Sequence, residues 1–482
     1  MNNNIGEIKK KALFGMFWRF GERITAQAIS FIVSIVLARI LLPEEYGIVA
    51  IVNIFIAIAN VLVTSGLGTS LIQKKEADEL DFSTIFYAGI GFSLIMYGVV
   101  YISAPWIAKT YENEILIIVL RVMGLRLPVA AINSVQQAYV SRQMIFKKFF
   151  FSTLFGTLTS AAVGITMAIK GFGVWALVAQ YMTNSCIDTI VLFFIIQWKP
   201  KLIFSFKRFR ELYSFGWRIV ATGLLGEFFN QLKSMLIGGR YSSTDLAYYN
   251  RGESIPNLVT TNINSTLESV MFPAIAKVQD NKKQVKQAVR RMMKISSFII
   301  IPLLLGMAAV AEPIIKILLT DKWLFSVPYL QIVCIQQCFA ILNAANLQAI
   351  KAVGRSDILL KLELIKKPVF LVFILVALPI SPLAIATANA LYTILALLIN
   401  SFPNKKLLDY SFSEQLKDVS PYLLLATSMA ILVYIIGNIK LNMVILFPFQ
   451  IFIGIGYYLI GAKLLKMDSL GYIFESLKAI KR

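Results

Sequence analysis

The chain has 482 residues, of which 57% are hydrophobic and 15% charged, a composition that excludes an ordinary soluble protein of several domains. The formal net charge of +21 would suggest a nucleic-acid partner in a soluble protein. Here the basic residues lie between apolar stretches, so we assign them to membrane topology and to contacts with anionic membrane lipids, and we expect no nucleic-acid partner. The chain has no histidine, and we predict neither a metal nor a cofactor.

About fourteen stretches are long enough to cross a bilayer, because a span needs roughly 20 mostly apolar residues. The first block of spans lies at 13–42, 46–72, 83–104, 115–139, 149–169 and 174–198. The second block lies at 212–238, 254–276, 292–311, 327–351, 358–378 and 381–402, and a last pair follows at 419–436 and 443–465. We therefore predict an all-α integral membrane protein, with two six-helix bundles around a central cavity plus two C-terminal helices.

The connectors alternate in charge along the chain. Lys and Arg crowd into every second connector, as at Lys207, Arg208 and Arg210, whereas connectors such as 43–47 and 170–175 are short. Since cationic loops stay on the cytoplasmic side, we predict a multi-pass protein of the bacterial inner membrane with both termini in the cytoplasm. The polar opening segment MNNNIGEIKKK gives no sign of a cleavable signal peptide.

The two six-helix blocks resemble each other in sequence. FGERI at 20–24 recurs as FGWRI at 215–219, and QQAYVSRQ at 136–143 resembles LQAIKAVGR at 347–355. Both echoes fall at equivalent positions of their blocks, which favours a parallel repeat of the kind found in transporters. We predict an N-terminal bundle at 1–200, a second bundle at 201–403, and two additional helices with a cytoplasmic tail at 404–482.

Three motifs carry a resemblance to a known family: LARILLPEEYGIVA at 37–50, GFGVWALV at 171–178 and KLIFSFKRFRELYSFGWR at 201–218. The chain resembles the polysaccharide exporters, and more specifically the O-antigen and colanic-acid flippases of the multidrug/oligosaccharidyl-lipid/polysaccharide superfamily. The resemblance implies translocation, by alternating access, of oligosaccharide units linked through a diphosphate to a polyprenyl lipid. It implies a role in the synthesis of O-antigen, capsule or exopolysaccharide, and glycosyltransferases and a polysaccharide polymerase as partners. No covalent chemistry is expected.

Polar side chains at helical spacing mark the faces that we expect to line the cavity, because charges facing lipid are costly. The predicted cationic, substrate-binding residues are Arg19, Arg23, Arg121, Arg126, Arg218 and Lys233. The predicted polar lining comprises Gln27, Asn133, Gln137, Asn230, Asn257 and Asn264. Cations suit a diphosphate, and amides suit sugar hydroxyls. The alternative is that the arginines of the first and fourth spans extend to the interface, or that Lys233 pairs with Glu227.

Energy coupling and the class of protein leave further alternatives open. The candidates for coupling to a proton or sodium ion, each with the alternative of a counter-ion to a nearby base, are Glu22, Asp188, Glu227, Glu253, Glu268 and Glu363, of which we select Glu22, Glu227 and Glu268. The chain lacks a GxxxxGK[ST] loop, so direct use of ATP is not expected. A multidrug exporter of the same fold is one alternative function. A membrane polysaccharide polymerase is another, although no long outer loop or acidic metal motif supports an enzyme.

Overall fold

The computed structural model describes residues 2–276, 278, 281–439 and 442–472, and over these residues it is helical with no strand. The chain divides into two compact units, Met1–Ala247 and Tyr248–Arg482. The helices up to this division are α1 (Asn2–Ile40), α2 (Pro43–Thr64), α3 (Leu67–Gln73), α4 (Glu79–Thr110), α5 (Ile115–Gly124), α6 (Arg126–Arg142), α7 (Lys147–Ile169), α8 (Val174–Ile195) and α9 (Phe206–Arg240). The predicted boundaries after residues 200 and 403 stay predictions.

The remaining helices begin with α10, whose residues span the division. They are α10 (Ser243–Ala276), α11 (Lys282–Ala309), α12 (Ala311–Leu319), α13 (Val327–Ala352), α14 (Ser356–Ala377), α15 (Pro382–Leu408), α16 (Phe412–Gly437) and α17 (Met443–Leu464). A short 3-10 helix, Asp321–Ser326, precedes α13. In the first unit α9 packs against α2, α3 and α4, and in the second α11 packs against α13 and α16.

The helices confirm a multi-pass membrane protein. Every predicted span falls on helix, and within the described residues 11 helical segments are long and apolar enough to cross a bilayer. The long helices α9, α10 and α14 are not among these segments. Polar content is the reason for α14, where Lys361, Glu363, Lys366 and Lys367 lie within one stretch of seven residues. The count of fourteen spans therefore stays a prediction.

The second and fourth predicted spans are each broken into two helices. Gly66 separates α2 from α3 and has a φ of 85°, a left-handed conformation that favours glycine. A Cβ atom at Gly66 would also collide with the backbone carbonyl of Gly216 in α9. Leu125 separates α5 from α6, where Pro128 has no N–H to bond the carbonyl of Gly124, four residues earlier.

Basic connector residues of the first unit pair with carboxylates at the start of α4. Lys74 Nζ lies 2.6 Å from Asp81 Oδ1, and the Asp81 side chain is fully buried. Arg208 lies 3.5 Å from Asp78 and 3.8 Å from Asp81. The backbone N–H of Asp81 donates to Asp78 Oδ1 at 2.8 Å and is the main reason why the pKa of Asp78 lies below its usual value. These pairs hold the α3–α4 connector and the first turn of α9 together at the start of α4.

Four cations of α11, spaced four residues apart, form an ion-pair row with the C-terminal segment. Their partners are Asp409 for Lys282, Glu414 for Lys286, Asp418 for Arg290, and Asp418 with Asp468 for Lys294. Arg290 binds Asp418 through two hydrogen bonds of 2.5 and 2.7 Å, and Tyr410 donates to the same carboxylate at 2.9 Å. The row thus fixes α16 and the residues after α17 to α11.

Candidate functional site

A polar cavity of ≈430 Å³ lies between α2, α3, α6 and α8 of the first unit. Its polar lining residues are Asn60, Thr64, Thr69, Asn133, Ser134, Gln137, Ser141, Asn184, Ser185, Asp188 and Thr189. Among the described residues that line this cavity, Asp188 is the only one with a charged side chain. The break between α2 and α3 borders this cavity, and Ser134 Oγ donates to the carbonyl of Thr64 at 3.4 Å. Irregular backbone at membrane depth is tolerated where it lines such a cavity.

Asn133 is the centre of a hydrogen-bond network in this cavity. Its Nδ2 donates to Asp188 Oδ2 at 2.9 Å and to Thr189 Oγ1 at 3.2 Å. Its Oδ1 accepts from Gln137 Nε2 at 2.6 Å. The network orients two predicted residues, Asn133 and Gln137, on one wall, where amide groups can donate to or accept from sugar hydroxyls. Their role in substrate binding stays a prediction.

A second cavity of ≈300 Å³ lies between α1, α7 and α8 and shares Asn184 with the first. Its polar lining residues are Ser30, Ser34, Tyr46, Thr157, Ser160, Gln180, Tyr181 and Asn184. Asn184 Nδ2 donates to Ser160 Oγ at 3.4 Å across the helix pair. The two cavities together bring neutral hydrogen-bonding groups of α1, α6, α7 and α8 into one bundle of membrane-spanning helices.

The predicted arginines of α5 and α6 are not among the described residues that line the polar cavity. Arg126 Nε donates to Ser185 Oγ at 3.2 Å, and its guanidinium lies 5.2 Å from the ring centroid of Tyr181. Arg121 lies 4.1 Å from the ring centroid of Tyr101. Both guanidinium groups therefore have aromatic partners, and Arg126 reaches a residue that lines the cavity.

The predicted residues of α1 separate into a paired group and an exposed one. Arg19 Nη1 donates to Glu22 Oε2 at 2.8 Å and lies over the Phe149 ring at 4.5 Å. Glu22, whose side chain is 11% exposed, also accepts from Thr153 Oγ1 at 3.1 Å. Glu22 thus forms an ion pair with Arg19, and its role in ion coupling stays a prediction. Arg23 is exposed, and Gln27 is half-buried.

The predicted residues of α9 are divided equally between exposed and half-buried positions. Arg218 and Asn230 are exposed, while Glu227 accepts a hydrogen bond of 2.7 Å from Gln231 Nε2. Lys233 is half-buried. Arg218 therefore resembles Arg23: each is an exposed cation on a long helix, and within the described residues no carboxylate forms an ion pair with either.

The predicted residues of α10 are only partly described. Asn257 accepts a hydrogen bond from Gln337 of α13, which places it within the second unit. Asn264 and Glu268 have side chains outside those that the structure describes. The predicted central cavity between the bundles stays a prediction.

Sequence reasoning missed the contribution of α8 to the polar cavity. Asn184, Ser185, Asp188 and Thr189 occupy one helical face at spacings of one and four residues, a signal visible in YMTNSCIDT.

Sequence reasoning also missed buried amides that join α13 to α15. Asn404 Nδ2 donates to Asn346 Oδ1 at 2.6 Å and Asn400 Nδ2 to Asn343 Oδ1 at 2.7 Å. Because Asn346, Asn400 and Asn404 are buried, these amides stabilise the packing of the two helices.

Comparisons with known proteins agree with the fold and with the motifs. A family model described as "Polysaccharide biosynthesis protein" matches residues 36–328. The succinoglycan biosynthesis transport protein ExoT of Rhizobium meliloti is 24% identical over 353 residues, 72% of this chain and 71% of the relative. The lipopolysaccharide biosynthesis protein WzxC of Escherichia coli is 22% identical over 372 residues, 76% of this chain and 74% of the relative.

A solved structure of the lipid II flippase MurJ in an inward closed conformation has a similar fold. It superposes with a TM-score of 0.76 at 15% identity and covers 95% of this chain and 100% of that one. At this identity the likeness shows the fold alone. The resemblance inferred from the sequence motifs is confirmed, and the prediction of a transport protein rather than an enzyme agrees with these relatives.

Proposed function

The chain belongs to the polysaccharide biosynthesis protein family, and we propose that it is a flippase for polyprenyl-diphosphate-linked oligosaccharide units. It moves these units from the cytoplasmic to the outer leaflet of the bacterial inner membrane, by alternating access, for O-antigen, capsule or exopolysaccharide synthesis. Glycosyltransferases supply the unit and a polymerase consumes it, and both chain termini lie in the cytoplasm. The observation that supports this proposal most is the polar cavity of ≈430 Å³ among membrane-spanning helices.

The lining of this cavity suits sugars. An oligosaccharide presents hydroxyl groups that both donate and accept, and the amides of Asn133, Gln137 and Asn184 do the same. The contacts within the cavity keep these amides oriented, so less entropy is lost when a sugar binds. An apolar substrate would leave the remaining donors and acceptors of these amides without partners once water is displaced, which costs free energy.

The diphosphate requires cations, and the exposed arginines of the first unit can supply them. Arg23 and Arg218 present guanidinium groups that form no ion pair with a described carboxylate, whereas Arg19 is held by Glu22. A guanidinium binds phosphate oxygens in a two-pronged geometry that an ammonium lacks. We therefore assign the diphosphate to Arg23 and Arg218, with Lys233 of the same helix as Arg218 as a third cation, and the sugars to the polar cavity.

One observation favours a second candidate, a cation-coupled multidrug exporter. Asp188 gives the polar cavity a carboxylate, and a carboxylate in a cavity attracts cationic drugs. The amides and hydroxyls around Asp188 outnumber it, and they favour the sugar substrate. The two functions predict different results when the cavity is altered: loss of flippase activity makes lipid-linked units accumulate, and loss of drug export increases sensitivity to cationic drugs.

The proposal predicts that Asn133→Ala combined with Gln137→Ala lowers polysaccharide export about tenfold or more at normal protein abundance, because each lost hydrogen bond contributes about 1 kcal/mol. Lipid-linked units should accumulate in the cytoplasmic leaflet, measured by extraction after labelling from the outside. Gln143→Ala, an exposed amide at the end of α6, is the matched control and should export normally. Unchanged export with increased sensitivity to cationic drugs would instead establish the multidrug exporter.

A further inference from the structure

An apolar groove of ≈430 Å³ lies where α7 begins and α8 ends, on the side that the basic connectors assign to the cytoplasm. Aromatic and aliphatic side chains form its walls: Trp18 of α1, Phe146 of the connector before α7, Phe151 of α7 and Ile195 of α8. The only charged side chains among its described lining residues are Lys147 and Lys148. The groove therefore combines an apolar interior with basic groups.

The two lysines of the groove differ in their contacts. Lys148 Nζ donates to the backbone carbonyl of Ile195 at 2.8 Å, which satisfies an orphan carbonyl at the end of α8. Lys147 is exposed, and its Nζ lies 5.4 Å from the ring centroid of Trp18 and 5.8 Å from that of Phe151. Within the described residues no carboxylate forms an ion pair with Lys147. Its ammonium is thus held above the aromatic wall, and no described acid compensates its charge.

This arrangement matches the chemistry of a phospholipid with one negative charge. An acyl chain packs favourably against aromatic and aliphatic walls, and the phosphodiester carries a single charge for a single ammonium. The diphosphate of the transported lipid carries more charge than Lys147 can neutralise, and Lys148 is already bonded to protein. Charge complementarity therefore favours a resident phospholipid over the transported substrate.

We propose that this groove binds one anionic phospholipid of the phosphatidylglycerol class, with its phosphate at Lys147 and one acyl chain against Trp18 and Phe151. The lipid fills the space between α1 and the α7–α8 pair at the headgroup level. The site is independent of the polar cavity, so it stands or falls separately from the proposed transport function.

Quenching of Trp18 by brominated lipids tests the site directly. The full chain is reconstituted in phosphatidylcholine vesicles that contain a small fraction of either brominated phosphatidylglycerol or brominated phosphatidylcholine. The Trp18 contribution is the difference in fluorescence between the wild type and Trp18→Phe. We expect brominated phosphatidylglycerol to quench it at about fivefold lower mole fraction, the preference that one Lys near an anionic headgroup provides.

Two charge variants show which lysine causes the preference for phosphatidylglycerol. Lys147→Gln should abolish it, while Lys199→Gln should keep it, because Lys199 also lies over an aromatic ring, that of Phe193 at 3.8 Å, but outside the groove. Equal quenching by both lipids, no quenching, or a preference that survives in Lys147→Gln would each overturn the proposal. So would displacement of the brominated phosphatidylglycerol by an equimolar polyprenyl diphosphate, which would assign the groove to the substrate.

A second measurement covers the case in which Trp18→Phe does not fold. Lipids that co-purify with the detergent-solubilised wild type and with Lys147→Gln are quantified by mass spectrometry. The proposal expects phosphatidylglycerol enrichment over the host membrane in the wild type and in Lys199→Gln, and its loss in Lys147→Gln. Equal enrichment in all three proteins would overturn the proposal.

Discussion

Replacement of Arg23, Arg218 and Lys233 by alanine in one protein is expected to lower export of lipid-linked glycan about a hundredfold. Hydrogen bonds to charged groups contribute about 1.5–3 kcal/mol each, and the solvent exposure of Arg23 and Arg218 reduces that figure. The three substitutions together are therefore expected to lower export about a hundredfold. The measurement is the amount of glycan exported per unit of protein in the membrane.

Two controls separate binding from charge and from folding. Alanine at Lys109, Lys170 and Lys417, which are all exposed, removes the same charge and should leave export near the wild-type level. Arg23→Lys should recover only part of the function, since an ammonium lacks the guanidinium fork. Unchanged export by the triple variant at normal abundance would exclude these residues as the headgroup site. Disappearance of a Lys233→Ala variant from the membrane would indicate a structural ion pair instead.

Gly66→Ala is expected to destabilise the first unit by about 2–5 kcal/mol, a large part of the stability of an ordinary domain. A left-handed residue other than glycine costs about 1–2 kcal/mol, and overpacking costs about 1–3 kcal/mol more. Gly66 incurs both costs, because its φ is 85° and its added Cβ would collide with Gly216. The measurement is the thermal unfolding of the detergent-solubilised protein.

Two other glycines separate the contributions to this effect. Gly171 has a φ of 78° with no atom within 4 Å of an added Cβ, so Gly171→Ala isolates the backbone cost. Gly216 lies in helix α9, and its added Cβ would approach the Gly66 carbonyl to 3.0 Å, so Gly216→Ala isolates the contact. Each should lower the unfolding temperature less than Gly66→Ala does. A Gly66→Ala protein as stable as the wild type would refute the close approach of α3 and α9.

The helices of this protein could be predicted from its sequence because hydropathy and charge act locally. Each predicted span falls on helix, and the end of the second span was correctly placed near Gln73. The break at Leu125 has a local signal, Pro128, that the prediction of the spans did not use, whereas the break at Gly66 could not be predicted in the same way. A side chain is excluded at Gly66 by the close approach of Gly216, which lies far away in the sequence. The sequence alone does not show that these two residues are close together in the fold.

The candidate site was predicted in part. Polar residues at helical spacing identified Asn133 and Gln137, which the structure places together, but spacing alone did not show that α8 supplies the opposite wall with Asp188. The basic residues of 282–294 were interpreted as contacts to headgroups and as topology signals. Their carboxylate partners follow more than a hundred residues later for Lys286 and Arg290, so only the folded structure reveals the ion-pair row.

Translocation by the purified protein is the most direct test of the proposed function. The protein is reconstituted in vesicles that carry a polyprenyl-diphosphate-linked oligosaccharide, and the fraction of this lipid that an added glycosidase cleaves in the outer leaflet is followed over time. Proposed flippase activity predicts that the wild type brings lipid from the inner leaflet to the enzyme, while the variant with Asn133→Ala and Gln137→Ala does so about tenfold more slowly. The proposed function would be contradicted if the glycosidase cleaved only the lipid that was initially outside. In that case the cleaved fraction would be the same with and without the wild-type protein, under an ion gradient of either direction.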